Sequence, residues 1–142
     1  MSRRVIATGG RKYANRTKVA QALGEVGRRF GPGEHIVLVQ GEGSGADRLA
    51  ADEARRLGWT VESFPAWWEA PCRDTCRPGH RRMVRGRSIC PAEGNYRNQR
   101  IADSRADLCL AFPGGRGTAD MVRRATAAGI PVRHVTERGS SE

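Results

Sequence analysis

The sequence predicts an α/β protein: a central parallel sheet of about five strands, in the order 3-2-1-4-5, with helices on both faces. Three observations carry that prediction. Short apolar runs alternate with stretches of helical period. The runs are apolar nearly throughout, His35 to Gln40 above all, as expected when helices cover both sheet faces. Glycine-rich turns close the runs and open the helices. At 142 residues the chain has the length of one domain, and few aromatics (6%) beside abundant glycine and alanine suit close helix-on-sheet packing.

In order, Arg4 to Thr8 reads as strand one and ends in Gly9-Gly10-Arg11. Thr17 is placed to cap a helix from Lys18 to about Phe30, whose Val19, Leu23, Val26 and Phe30 share one face. Gly31-Pro32-Gly33 stops it, and His35 to Gln40 is strand two. The turn Gly41 to Gly45 opens a second helix with Ala46, Ala50, Ala54 and Leu57 on one side, stopped at Gly58. Trp59 to Phe64 is strand three. Pro65 to Gly94 breaks the pattern with prolines and no clear period. A helix from Asn95 to Arg105 then leads to strand four, Leu108 to Phe112, and its turn Pro113 to Gly117. Thr118 to Ala128 is the last helix, Ile130 to Val135 strand five, and Thr136 to Glu142 a frayed tail.

This topology puts a ligand beyond the carboxyl ends of the strands, where the winding reverses between strands one and four. All three glycine-rich turns lie at such ends. A strand that delivers a glycine-rich turn to a helix start holds phosphate well: the backbone approaches closely and free N–H groups point at the anion. The candidate ligand residues are therefore Gly114, Gly115, Arg116, Gly117 and Thr118, with Gly9, Gly10 and Arg11 opposite. Gly43, Gly45 and Asp47 form the third turn, where Asp47 either complements the helix dipole or accepts from a ribose. Arg97 and Arg100 share a face of their helix while Asn98 points elsewhere, so with the arginines in solvent Asn98 is the better contact for a base or sugar. Trp67 and Trp68 either cover a sheet edge or stack on a base.

The net charge of +10, carried by 23 arginines and only two lysines, predicts anionic partners: nucleotides, nucleic acid or an acidic surface. No run approaches a membrane span and the N-terminal apolar run is too short for a signal peptide, so the expectation is a cytoplasmic protein without structural disulfides. Cys72, Cys76, His80 and Cys90 then read as a four-ligand tetrahedral zinc site stapling an insertion over residues 71–94, structural because all four positions are filled by protein. Cys109 sits in strand four and reads as core. Eight arginines and two acids between Cys72 and Arg100 leave that stretch at 8 − 2 = +6, a basic loop that grips phosphates or nucleic acid, or a solvated lid.

Together, Thr8-Gly9-Gly10-Arg11, Gly45-Ala46-Asp47-Arg48-Leu49-Ala50, Arg97-Asn98-Gln99-Arg100 and Pro113-Gly114-Gly115-Arg116-Gly117-Thr118 resemble the YspA (cpYpsA-related) family of the SLOG superfamily, over nearly the whole chain except Pro71 to Gly94. The resemblance implies a Rossmann-like fold and a site for a nucleotide or nucleotide-derived ligand. The Pro-Gly-Gly-x-Gly-Thr motif is similar to that of the LOG phosphoribohydrolases, which release a base from a nucleoside monophosphate. There two acids follow the motif and the second is catalytic; here the pair is Asp120 and Met121. Asp120 is one position early, about 100° around a helix. Arg97 matches that family's catalytic arginine with a one-residue shift. The helix start Gly43 to Asp47 is similar to that of the DprA recombination mediator, which binds single-stranded DNA. Pairing of relatives through helices beside the site implies a homodimer. The expectation is a sensor or binding module. The alternatives are an N-glycoside hydrolase using Arg97 with Asp120 or Glu42, and a single-strand nucleic-acid binder using the insertion.

Overall fold

The computed structural model describes residues 2–136 and 140–141. Its elements are β1 (Ser2–Thr8), α1 (Arg16–Phe30), β2 (His35–Gln40), α2 (Ala46–Arg56), β3 (Thr60–Ser63), β4 (Arg82–Val84), β5 (Arg87–Ile89), α3 (Glu93–Asp103), β6 (Leu108–Ala111), α4 (Arg116–Ala127), β7 (Val132–Val135) and β8 (Ser140–Ser141). The main sheet runs β3-β2-β1-β6-β7-β8. Its first five strands are parallel and in the order the sequence predicts. β1 is the switch strand: Val5 lies opposite Leu38 of β2 on one side and Leu108 of β6 on the other.

Strand side chains alternate between faces, and here both faces are apolar. Val5, Ala7, Ile36, Leu38, Leu110 and Phe112 pack against Val19, Leu23 and Val26 of α1 and the alanines Ala46, Ala50, Ala51 and Ala54 of α2. Ile6, Val37, Val39 and Cys109 pack against Ile101 and Ala102 of α3 and Met121 and Ala125 of α4. The result is three layers. The alanine face of α2 lets that helix lie close on the sheet, which brings its first turn down to the strand ends. Cys109 is core, as expected, and burial pushes its thiol up to about 12.

The differences from the sequence reading are local. Asn15, not Thr17, caps α1: its side-chain oxygen accepts from Lys18 N at 3.1 Å, so the helix starts at Arg16. α3 starts at Glu93 rather than Asn95 and stops at Asp103, before Arg105 at φ +70°. α4 begins at Arg116, two residues early. Gly58 does stop α2, at φ +82°. The insertion is not featureless. β4 and β5 form an antiparallel hairpin whose turn residues Arg85 and Gly86 both have positive φ, 51° and 78°, the geometry that matches strand twist. The tail expected to fray contributes β8, antiparallel to β7, which otherwise exposes an unpaired edge. Residues 137–139 and 142 of that tail lie outside the described residues. Among those described, no helix is long and apolar enough to cross a membrane.

Candidate functional site

The three glycine-rich turns meet at one rim of the sheet. Gly10 N donates to Pro113 O at 2.9 Å, Ala46 N donates to Gly10 O at 3.1 Å, and the Ser44 hydroxyl donates to Arg11 O at 3.0 Å. The turns interlock because side chains are missing between them. A Cβ on Gly45 would lie 2.2 Å from Gly10 O, one on Gly114 2.7 Å from Gly10 N, and one on Gly9 2.5 Å from the Ala46 Cβ.

Above this rim lies a cleft of about 1100 Å³. Ile101 and Met121 border it from α3 and α4. The turns make one side, and Trp67 to Ala70 with Val84, Arg85, Arg87 and Ile89 of the hairpin region make another. The insertion thus walls the cleft, consistent with the sequence reading of a loop that covers or extends the site.

The two helix starts at the rim differ. At α2, Gly43 N donates to Asp47 Oδ2 at 2.9 Å and Ala46 N is taken by Gly10 O, so the protein's own groups occupy that end. At α4 no side chain caps the N-cap residue Gly115. The first-turn amides of a helix have no intrahelical acceptor and carry the positive end of its dipole. Gly115, Gly117 and Thr118 border the cleft, and a Cβ on either glycine would meet nothing within 4 Å. The first turn of α4 is therefore open toward the cleft.

Charged side chains surround it. Arg11 borders the cleft and lies 5.8 Å from the Trp68 ring centroid. Arg97 lies against Gly41, where a Cβ would be 2.4 Å from its guanidinium, and donates to Gly41 O and to Asn98 Oδ1. Burial draws the Arg97 guanidinium below the usual arginine range, with Arg100 and Arg11 adding like-charge repulsion and Asp47 opposing it. Burial likewise pushes the Asp47 carboxyl above its ordinary 3.8, against the pull of the Gly43 amide and Arg97. Glu42 borders the cleft at φ +63°, its amide held by the side-chain oxygen of buried Gln40. A lone amide ending an apolar strand is the one signal that could have pointed to Gln40.

The cleft therefore gathers Gly9, Gly10, Arg11, Gly43, Asp47, Arg97, Asn98, Gly115, Gly117 and Thr118. Gly45 and Gly114 stand behind the rim as spacers, and Arg116 points outside it. Arg97 does not face solvent as the sequence reading supposed, and both it and Asn98 border the cleft. Asn98 is buried, and its amide donates to Gly117 O at 3.3 Å and to Asp120 Oδ2 at 3.0 Å. It ties α3 to the first turn of α4 and holds Arg97. Asp120 is not among the lining residues. Its carboxylate accepts from Asn98, from Arg124 Nε at 2.8 Å and from Arg123 at 2.6 Å. Met121 occupies the cleft-facing position one residue later.

Away from the rim, Cys72, Cys76, His80 and Cys90 converge, their donor atoms all within 4.8 Å of one another. Cys76 Sγ lies 3.8 Å from Cys90 Sγ, and His80 Nε2 lies 3.4 Å from Cys90 Sγ and 2.9 Å from Cys72 Sγ. Between Pro71 and Ser88 only these donors Cys72, Cys76 and His80 are sheltered at all, and Cys90 is fully buried. The stretch 71–88 has no other sheltered residue. Two supports went unseen in the sequence. The Tyr96 hydroxyl sits 3.3 Å from Cys76 Sγ and holds that thiol below its usual value, while burial pushes Cys90 up to about 11. Arg81 donates to Ser88 Oγ and to Ala70 O, each at 2.9 Å, bracing the hairpin.

Most of the basic charge here is used internally. Arg73 stacks 3.8 Å from the Tyr96 ring centroid, Arg87 pairs with Glu69, and Arg100 lies 4.0 Å from the Trp67 ring centroid while donating to Pro65 O. With Arg81 and Arg97 also bonded, only Arg77, Arg82 and Arg85 of the eight have no side-chain partner among the described residues.

Comparison with known proteins agrees with this geometry. The profile of the YspA, cpYpsA-related SLOG family matches residues 3–70. The chain is 37% identical over 137 residues to the Gene 61 protein of Mycobacterium phage D29, covering 92% of this chain and 94% of that one. Its fold is similar to that of DNA processing protein A (DprA) from Streptococcus pneumoniae, with a TM-score of 0.65 at 15% identity over 93% of this chain, which spans 50% of the DprA chain. With interlocked glycine turns at a switch point, a Rossmann-like sheet and a relative matched along nearly its full length, the chain belongs to the YspA, cpYpsA-related SLOG family.

Proposed function

We propose that the cleft binds a nucleotide or nucleotide-derived ligand, and that the protein acts as a sensor or binding module rather than a hydrolase. The observation that carries this is the uncapped first turn of α4, which opens into the cleft beside two turns locked against it. Phosphate oxygens accept from the amides of Gly117 and Thr118, and Arg11 and Arg97 supply positive charge nearby. Thr118 adds a hydroxyl. Trp67 and Trp68 offer the base an aromatic wall. Among the described residues the acids bordering the cleft are Glu42 and Asp47 from the turns and Glu69, paired with Arg87, from the wall; Asp120 is spent on Asn98 and two arginines, and apolar Met121 faces the cleft in its place.

Zinc suits the four-donor cluster. A tetrahedral ion with Zn–S of about 2.3 Å sets its sulfur atoms about 3.8 Å apart, and Cys76 and Cys90 are already at 3.8 Å. The ion would order a segment that buries almost nothing else, fixing the wall opposite the glycine turns. Its role is structural, since protein fills every position.

The test is a thermal-shift screen of purified protein against a panel of ribonucleotides, with mass spectrometry of small molecules carried through purification. Binding a nucleotide raises Tm as ligand exceeds Kd. A panel that leaves Tm unmoved, with nothing nucleotide-like co-purifying, overturns the reading.

A further inference from the structure

We infer that Glu42 is the specificity residue of the cleft: its carboxylate accepts hydrogen bonds from the vicinal hydroxyls of a ribose, so the ligand is a ribonucleoside phosphate and not its deoxy counterpart. The inference rests on the nucleotide reading above and deepens it.

The strand order supplies a ruler. Neighbouring strands are about 4.8 Å apart. The open start of α4 follows β6, Glu42 follows β2 two strands away, and Trp67 and Trp68 follow β3 one strand further. The strands that lead into the Glu42 turn and the tryptophan segment lie about 10 and about 14 Å from β6, so the three segments leave the sheet in the order α4 start, carboxylate, aromatics, with the Trp68 ring reaching back to within 5.8 Å of the Arg11 guanidinium. Phosphate, sugar and base follow each other in the same order in a nucleotide.

Glu42 is built for that task. Its carboxylate is exposed in the cleft, close enough to feel the charge of Arg97, yet accepts no hydrogen bond and makes no ion pair within 4 Å among the described residues. It therefore retains both oxygens as acceptors, and a diol offers two donors. The backbone holds it there at a cost. At φ +63° a glycine would sit more easily, and glycines stand on both sides at Gly41 and Gly43. The Glu42 amide is fixed by Gln40, so the side chain cannot relax by rotating its peptide. The other acid in that turn, Asp47, is turned back onto Gly43 N and is not free to accept a sugar.

The experiment titrates the full chain with the four common ribonucleoside diphosphates and their 2′-deoxy forms, read by intrinsic tryptophan fluorescence. Loss of one hydrogen bond to a charged acceptor predicts about 10- to 100-fold weaker binding of the deoxy form for whichever base binds. Glu42→Gln, which offers one acceptor and a mismatched donor, collapses that ratio toward one. Glu42→Gly does the same while raising Tm, because glycine relieves the backbone. Equal binding of ribo and deoxy forms, or a ratio unchanged in both variants, overturns the assignment of Glu42 while leaving nucleotide binding intact. Binding of none of the eight overturns both readings together.

Discussion

Gly45→Ala tests the interlocked rim. The added methyl would lie 2.2 Å from Gly10 O and 2.6 Å from both the carbonyl carbon and the oxygen of Arg11. All three are backbone atoms of a turn that is itself pinned to Pro113, so no side chain can swing aside. Overpacking of this kind costs up to about 3 kcal/mol. Displacing Gly10 O also strains the 3.1 Å bond from Ala46 N, worth about 1 kcal/mol more. With overpacking at about 1–3 kcal/mol and about 3 °C per kcal/mol for a chain of this length, Tm falls by about 6–12 °C. Gly117→Ala is the control: its Cβ meets nothing within 4 Å, and alanine favours the helix by about 0.5 kcal/mol, so Tm holds or rises by about 2 °C. Differential scanning calorimetry of the two variants reads both. An unchanged Tm for Gly45→Ala, or equal losses in the two, would refute the argument that the turns meet backbone to backbone.

Asp120→Asn strips the charge from a carboxylate that two arginines and Asn98 share; the variant loses about 2–3 kcal/mol in urea denaturation, and an unchanged midpoint would show that the clamp holds nothing. Protein purified without chelator carries one zinc per chain by elemental analysis. Cys90→Ser loses it and exposes the arginines of 73–87 to trypsin at least about ten times faster, while Tm of the main core barely moves, because neither core cluster includes that segment. Metal-free wild type would overturn this. Asp47 has a folded-state pKa above its ordinary 3.8, so the folded state holds that proton longer than the unfolded chain. Stability therefore falls as pH rises from about 3.8 through the raised folded value. Asp47→Asn removes that slope, and parallel slopes for the two proteins in pH-dependent denaturation would contradict it.

The sheet order was legible because strands such as His35 to Gln40 are apolar on both faces and alternate with helices that each carry one apolar side. The meeting of the turns was legible because all three follow strands whose carboxyl ends share an edge. Two things were not. Spacing shows which residues of α3 share a face, but not which face turns inward. Arg97 turns inward because Gly41 lacks a side chain and leaves a flat place for the guanidinium, a contact across 56 residues of sequence. The hairpin of Arg82 to Ile89 was invisible because its strands face solvent and follow no apolar alternation. It is held by Arg81, by the positive φ of Arg85 and Gly86, and by its tether to His80 and Cys90.

The position of the phosphate is decisive, and a crystal structure with a bound ribonucleotide measures it directly. Phosphate oxygens are expected within hydrogen-bond reach of the Gly117 and Thr118 amides, with the sugar toward Glu42 and the base against the tryptophans. Phosphate held instead by Arg82 and Arg85 on the hairpin, with the start of α4 filled only by solvent, would contradict it.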